Sequence, residues 1–169
     1  MKMWTAQRKE VFEKDICGNP KYFAGWDHVQ EEAKSIAYRW MVARMRQRGI
    51  PMRPEHAPIW AWKSMPCPCE LQGYLPVSER NARREYVLAE IEPTHSLFLM
   101  SSYSSFSEML IDIEEGAGLA RYEERAFRLQ SDADTQIALP WLSCHEIERV
   151  WHFTLIPPHG GEPELKPYG

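Results

Sequence analysis

The chain has no long apolar run. Nothing in it approaches the roughly 20 consecutive residues a helix needs to cross a bilayer, and its opening, Met1-Lys-Met-Trp-Thr5, has no hydrophobic leader stretch. No membrane partner is expected, and a cytoplasmic location is. No Gly-x-Ser-x-Gly elbow marks a hydrolase nucleophile. The six histidines (28, 56, 95, 145, 152 and 159) form no His-Glu-x-x-His pair. There is no glycine-rich phosphate loop and no internal repeat. Cysteine is sparse: Cys17, Cys67, Cys69 and Cys144. A reducing compartment keeps such residues as thiols, and the single proline between Cys67 and Cys69 is awkward for a mutual disulfide. Charge of one sign is sparse too, with a net −4 from 20 basic and 24 acidic residues.

What is present is apolar and aromatic. A length of 169 residues fits one domain, and a 44% hydrophobic content is enough for a core. The seven tryptophans each bring a large apolar surface and one N–H that seeks a partner. The charge is uneven: residues 1–62 carry 11 basic and 7 acidic side chains (+4), and the remainder 9 and 17 (−8). The basic half could meet an anionic partner or could simply be a solvated helix face. Arg39, Arg44, Arg46 and Arg48 do not form one stripe, so no nucleic-acid partner is expected.

Hydrophobic spacing predicts an α+β fold in a single domain over 1–156, with a mixed, mostly antiparallel sheet, one long central helix, several short helices, and a Pro/Gly-rich tail over 157–169. Lys2–Thr5 reads as a first strand, with Thr5 capping a helix that Gly18 stops. Asp27 is the expected cap of the long helix, which runs to about Gln47. Val29, Ala33, Ile36, Trp40 and Ala43 are its expected buried face, with Tyr38, Met41 and Met45 on a second. Strands are expected at Ile59–Trp62, Glu85–Glu92, Leu97–Ser101, Thr135–Leu139 and Arg149–Leu155. A serine-rich turn leads into a helix with Phe106, Met109, Leu110 and Ile113 on its apolar face. Leu119–Leu129 fits a helix or a hairpin arm. Ser143 with Glu146 fits a capping box, Met65–Pro76 a loop, and the tail an end that frays.

Several blocks carry a resemblance: Met3-Trp-Thr-Ala-Gln7; Tyr38-Arg-Trp-Met-Val42 with Met45; Pro58-Ile-Trp-Ala-Trp62; Leu88-Ala-Glu-Ile-Glu92 through Leu99-Met-Ser-Ser-Tyr-Ser-Ser-Phe106; and Thr135-Gln-Ile-Ala-Leu139 with Val150-Trp-His-Phe153. Together they resemble the bacterial family of unknown function DUF3841. Ser102, Ser104 and Phe106-Ser107 stand where that family often places Asp and Trp-His. The order of elements is more distantly similar to the ADP-ribosyltransferase fold. That likeness implies a NAD-type nucleotide held by Thr5, Gln7, Trp60, Trp62 and Tyr103, with Ser101 and Gln136 in the catalytic positions. Such chemistry expels nicotinamide through an oxocarbenium-like state that a carboxylate stabilises. Gln136 is an amide and carries no charge, so binding without efficient transfer is expected, or transfer that borrows Glu146.

Other readings stand beside it. Trp60 and Trp62, two apart on a strand, share one face, as a stacking wall for a ring or as packing in the core. Cys67, Cys69, Cys144 and His145 are zinc-ligand types, but their spacing is short and no metal site is expected. The alternative to nucleotide binding is a non-enzymatic protein-binding module, such as a small bacterial or phage-encoded inhibitor, with a protein partner held by aromatic and charged hot spots.

Overall fold

The computed structural model describes residues 1–74, 84–155 and 162–169. In chain order the elements are β1 (Met3–Arg8), α1 (Lys9–Val11) running into a π-helical turn (Phe12–Ile16), β2 (Ala24–Gly25), a 3-10 turn (Trp26–His28), α2 (Glu32–Gln47), β3 (His56–Ala57), β4 (Ile59–Trp62), α3 (Pro68–Tyr74), β5 (Arg84–Ile91), β6 (Leu99–Ser102), α4 (Tyr103–Glu114), α5 (Tyr122–Arg125), β7 (Thr135–Leu139), a second 3-10 turn (Cys144–Glu146), β8 (Ile147–Leu155) and β9 (Lys166–Pro167). The class is α+β with a mostly antiparallel sheet and several short helices, as the hydrophobic spacing predicts. The chain divides into two compact units: Met1–Tyr22, Ser64–Thr94 and Ser143–Gly169 form the first, Phe23–Lys63 and His95–Leu142 the second.

In the first unit the strands run β1-β5-β8-β9, each pair antiparallel. Thr5 is not a helix cap. It lies fully buried within β1, which pairs with β5 from Met3↔Ile91 to Arg8↔Tyr86. Six residues of ladder outweigh one side-chain cap, and the chain turns helical only at Lys9. Phe12 and Ile16, four apart in the π-helical turn, are both buried. The Ser143 capping box does not form either. Ser143 Oγ instead donates to the Pro20 carbonyl at 3.0 Å, and the Glu146 carboxylate accepts from the backbone N–H and the hydroxyl of Thr94, each at 3.0 Å. Residues 157–161 of the expected tail lie outside the described residues, as does residue 156 before it. Beyond them the chain does not fray: Lys166 and Pro167 pair with His152 and Trp151, and the Tyr168 hydroxyl donates to the Glu13 carboxylate. Of the expected loop Met65–Pro76, Pro68–Tyr74 is helical and residues 75–76 lie outside the described residues.

In the second unit the strand order is β6-β7-β4, again antiparallel, and β2 pairs with β3. Asp27 does not cap α2. Its carboxylate folds back over Gly25, where an added Cβ would stand 2.4 Å from Oδ1. Trp26 is anchored by its indole N–H to the Pro54 carbonyl at 2.8 Å, with the Arg39 guanidinium 4.3 Å above its ring. These tertiary contacts hold Trp26–His28 as a separate turn, and α2 starts at Glu32. Gly49, at φ 77°, follows it in the left-handed region that glycine tolerates. The buried face of α2 also differs from the expected one. Ala33, Ala37, Trp40, Met41, Val42 and Met45 face inward, while Ile36 is 41% exposed. Ala33 and Trp40 come from the first expected stripe and Met41 and Met45 from the second, and Ala37 and Val42 join them into one buried face.

Helix α4 begins one residue after β6 because Ser102 caps it, its Oγ accepting from the Ser105 N–H at 3.1 Å. Phe106 and Met109 enter the same core cluster as α2. Leu119–Leu129 resolves into the one-turn helix α5, held by Tyr122. That buried side chain donates its hydroxyl to the Asp112 carboxylate, which Arg121 also contacts. The Tyr122 hydrogen bond, with help from Arg121, holds the Asp112 carboxyl below the usual carboxylate range. A carboxyl lowered in the folded state stabilises above its unfolded value, about 3.9; that stability is lost as pH falls through the lower folded value. Urea denaturation at about pH 7 and about pH 3 should therefore show a steeper acid-side loss for the wild type than for Asp112→Asn. Equal slopes would contradict this role.

Candidate functional site

Registry in the second unit brings together residues that the sequence separates widely. Trp62 lies opposite Gln136, and Gln136 opposite Ser101. Directly opposed residues on antiparallel strands point to the same face, so this is one row across β4, β7 and β6. The Gln136 side-chain amide donates to Ser101 Oγ at 3.1 Å. Ser101 is fully buried and Gln136 is 6% exposed, while Trp62 is half-buried at the end of the row. Tyr103, also half-buried, follows β6 as the first residue of α4, and its N–H donates to the Asp134 carbonyl at 2.6 Å.

The neighbouring row on the same face is Trp60, Ala138 and Leu99, and it is packed. The Trp60 ring lies 4.9 Å from Phe106 and 5.3 Å from Tyr38, both tilted against it. The two indoles share a face as strand alternation requires, yet their surroundings differ. Trp60 is wedged against the helices, and Trp62 stands beside a polar pair.

The groups around the start of α4 are already engaged. The Asp134 carboxylate accepts from Ser102 Oγ at 2.7 Å and from the Ser104 N–H at 2.8 Å. Ser105 N–H is bound by Ser102 and Tyr103 N–H by the Asp134 carbonyl. The first N–H groups of the helix thus have internal acceptors, and Asp134 supplies the negative charge that a helix start favours. Lys63, next to Trp62, pairs with Asp132 at 2.8 Å.

Thr5 and Gln7 belong to the first unit, where the Gln7 amide donates to Thr5 Oγ1 at 2.8 Å. Glu146, the carboxylate that transfer chemistry would borrow, also lies in the first unit and serves Thr94. Cys67 and Cys69 are joined as a disulfide, contrary to the expectation from their spacing. Pro68 does not keep the two sulfurs apart, because it opens α3 and the turn leaves the Cα atoms 5.5 Å from each other. No group of three or more His, Cys, Asp or Glu side chains among the described residues is arranged to hold a metal ion.

An aromatic cluster in the second unit was not singled out by sequence reasoning. Phe23 stacks on His56 at 4.5 Å, and Trp141 tilts against Phe23 at 6.2 Å and against His95 at 4.7 Å. Its members come from well-separated points of the chain, so no local spacing could reveal them. Comparison with protein-family models, with curated proteins and with solved structures finds no match to this chain.

Proposed function

We propose that the second unit binds a nucleotide of the NAD type and does not transfer ADP-ribose efficiently. The observation that carries this reading is the row Trp62–Gln136–Ser101, with Tyr103 following it. Trp62 and Tyr103 offer half-buried rings against which a nicotinamide or adenine could stack. Gln136, the middle member of the row, supplies an amide beside Trp62 for a ribose hydroxyl or a ring amide. Ser101 is closed to solvent, so it acts on a ligand by orienting Gln136. An uncharged Gln136 cannot stabilise an oxocarbenium ion as a carboxylate would, and the Asp134 carboxylate is committed to Ser102 and Ser104. Because the donors at the start of α4 are also committed, affinity comes from the ring and ribose more than from the pyrophosphate.

Thermal unfolding with NAD, ADP-ribose and ATP tests the proposal. Near-millimolar ADP-ribose or NAD should raise the midpoint. A ligand present at ten times its Kd stabilises by about 1.4 kcal/mol, a rise of about 3–6 °C. Trp62→Ala and Gln136→Ala should each remove most of that ligand-dependent increment. No increment with any of the three nucleotides sinks the proposal.

A second reading, a protein-binding module, draws on a different observation. Phe23 is 39% exposed within the aromatic cluster, and Ile36, Ile111 and Leu129 are exposed elsewhere in the second unit. Aromatic side chains of this kind serve as interface anchors. Absence of any nucleotide response, with loss of protein capture in Phe23→Ala, is the outcome that favours it.

A further inference from the structure

The disulfide between Cys67 and Cys69 spans a single proline. A crosslink this short removes little chain entropy from the unfolded state compared with one that closes a long loop. The turn around it is held by other bonds. The Cys67 N–H donates to Glu70 Oε2 at 2.7 Å, and the Cys67 carbonyl accepts from the N–H groups of Glu70 at 3.0 Å and Leu71 at 3.3 Å. Leu71 is fully buried and anchors α3. Pro68, the first residue of α3, has its φ fixed by the ring and needs no sulfur bridge to hold it. Cys69 is exposed and Cys67 is half-buried. A disulfide that adds little stability and is open to solvent is of the exchangeable kind.

We propose that Cys67-Pro68-Cys69 is a thiol–disulfide exchange site for low-molecular-weight thiols, cycling between disulfide and dithiol while α3 stays formed. The thiolate of a glutathione-type thiol attacks the exposed Cys69 Sγ. A new S–S bond forms there, the old one breaks, and its electron pair leaves on Cys67 Sγ, which takes a proton from solvent. A second thiolate then attacks the small-molecule sulfur of the mixed disulfide. It releases Cys69 as a thiolate that is protonated in turn, together with one small-molecule disulfide. Two small thiols are oxidised and one protein disulfide is reduced; the reverse reaction uses the small-molecule disulfide as oxidant. Glu70 places a negative charge beside both the incoming thiolate and the leaving Cys67 sulfur, so it slows the exchange. Glu70→Gln keeps an acceptor oxygen for the Cys67 N–H and removes the charge. The site belongs to the first unit and does not depend on nucleotide binding.

The test uses the full chain carrying Cys17→Ser and Cys144→Ser, so that only this pair reacts. The native protein is held in millimolar reduced glutathione, trapped with iodoacetamide and read by mass spectrometry. The peptide containing Cys67 and Cys69 should gain two carbamidomethyl groups, and none after return to glutathione disulfide. The thermal midpoint should move by less than about 3 °C between the two states. Glu70→Gln should react about two- to fivefold faster at low salt, an advantage that shrinks as salt is added. A pair that opens only in denaturant, a pair that never closes in glutathione disulfide, or a collapse of the midpoint on reduction would each overturn the proposal. An unchanged Glu70→Gln rate would remove Glu70 from the site.

Discussion

Trp60→Ala should lower the unfolding free energy by about 3 kcal/mol, the scale of a large aromatic removed from a packed site. Trp60 touches the rings of Tyr38 and Phe106 and packs against the cluster formed by α2 and α4. Deleting the indole leaves a cavity lined by those rings, which α2 and α4 hold in place. Trp60→Phe refills part of the volume and should recover about half of the loss. Urea denaturation followed by far-UV circular dichroism reads both variants. A loss below about 1 kcal/mol for Trp60→Ala would mean that the indole is a free surface group and not packing.

Glu146→Ala should cost about 2 kcal/mol, because two hydrogen bonds to one carboxylate oxygen are lost together. The buried carboxylate holds Thr94 by its N–H and its hydroxyl, and the Glu146 carbonyl accepts from the Glu92 N–H at 2.8 Å. It is a strut between the end of β5 and the start of β8. Its second oxygen, Oε2, is buried with no hydrogen-bond partner among the described residues, so the charge itself is poorly repaid there. Glu146→Gln, which keeps an acceptor and sheds the charge, should therefore stay within about 1 kcal/mol of wild type. If Gln proves as damaging as Ala in urea denaturation, the negative charge and not the hydrogen bonding is what matters at this position.

Strands were the legible part of this fold. β4, β5, β7 and β8 fall within a residue or two of where alternating or continuous apolar runs place them, because β4 buries one face, β5 and β7 are mostly buried, and β8 turns Phe153 and Leu155 inward. The start of α4 was legible in its serine-rich turn, where Ser102 is the cap, but two other helix starts were not. Thr5 and Asp27 are both good caps by residue type, yet long-range contacts decide at each: the β1–β5 ladder at one, the anchoring of Trp26 at the other. The tail strand β9 was hidden for the same reason, since Lys166 and Pro167 have no strand signal of their own and are recruited by β8.

The candidate site was half legible. Strand alternation could name the Trp60/Trp62 pair, and the likeness to the ADP-ribosyltransferase fold could name Ser101 and Gln136. They could not show that Trp62, Gln136 and Ser101 form one row, because register between distant strands is set by the whole sheet and not by any local window. Nor could they tell the two indoles apart. What separates them is the packing of Tyr38 and Phe106 over the inner row.

The most direct test of the nucleotide reading is a titration of 15N-labelled protein with ADP-ribose, followed through the indole N–H resonances and assigned by single Trp→Phe substitutions. The Trp62 resonance should move in a saturable way and the Trp60 resonance should stay in place. A titration to millimolar ADP-ribose that moves no indole resonance, or moves Trp60 and leaves Trp62 still, would contradict the account.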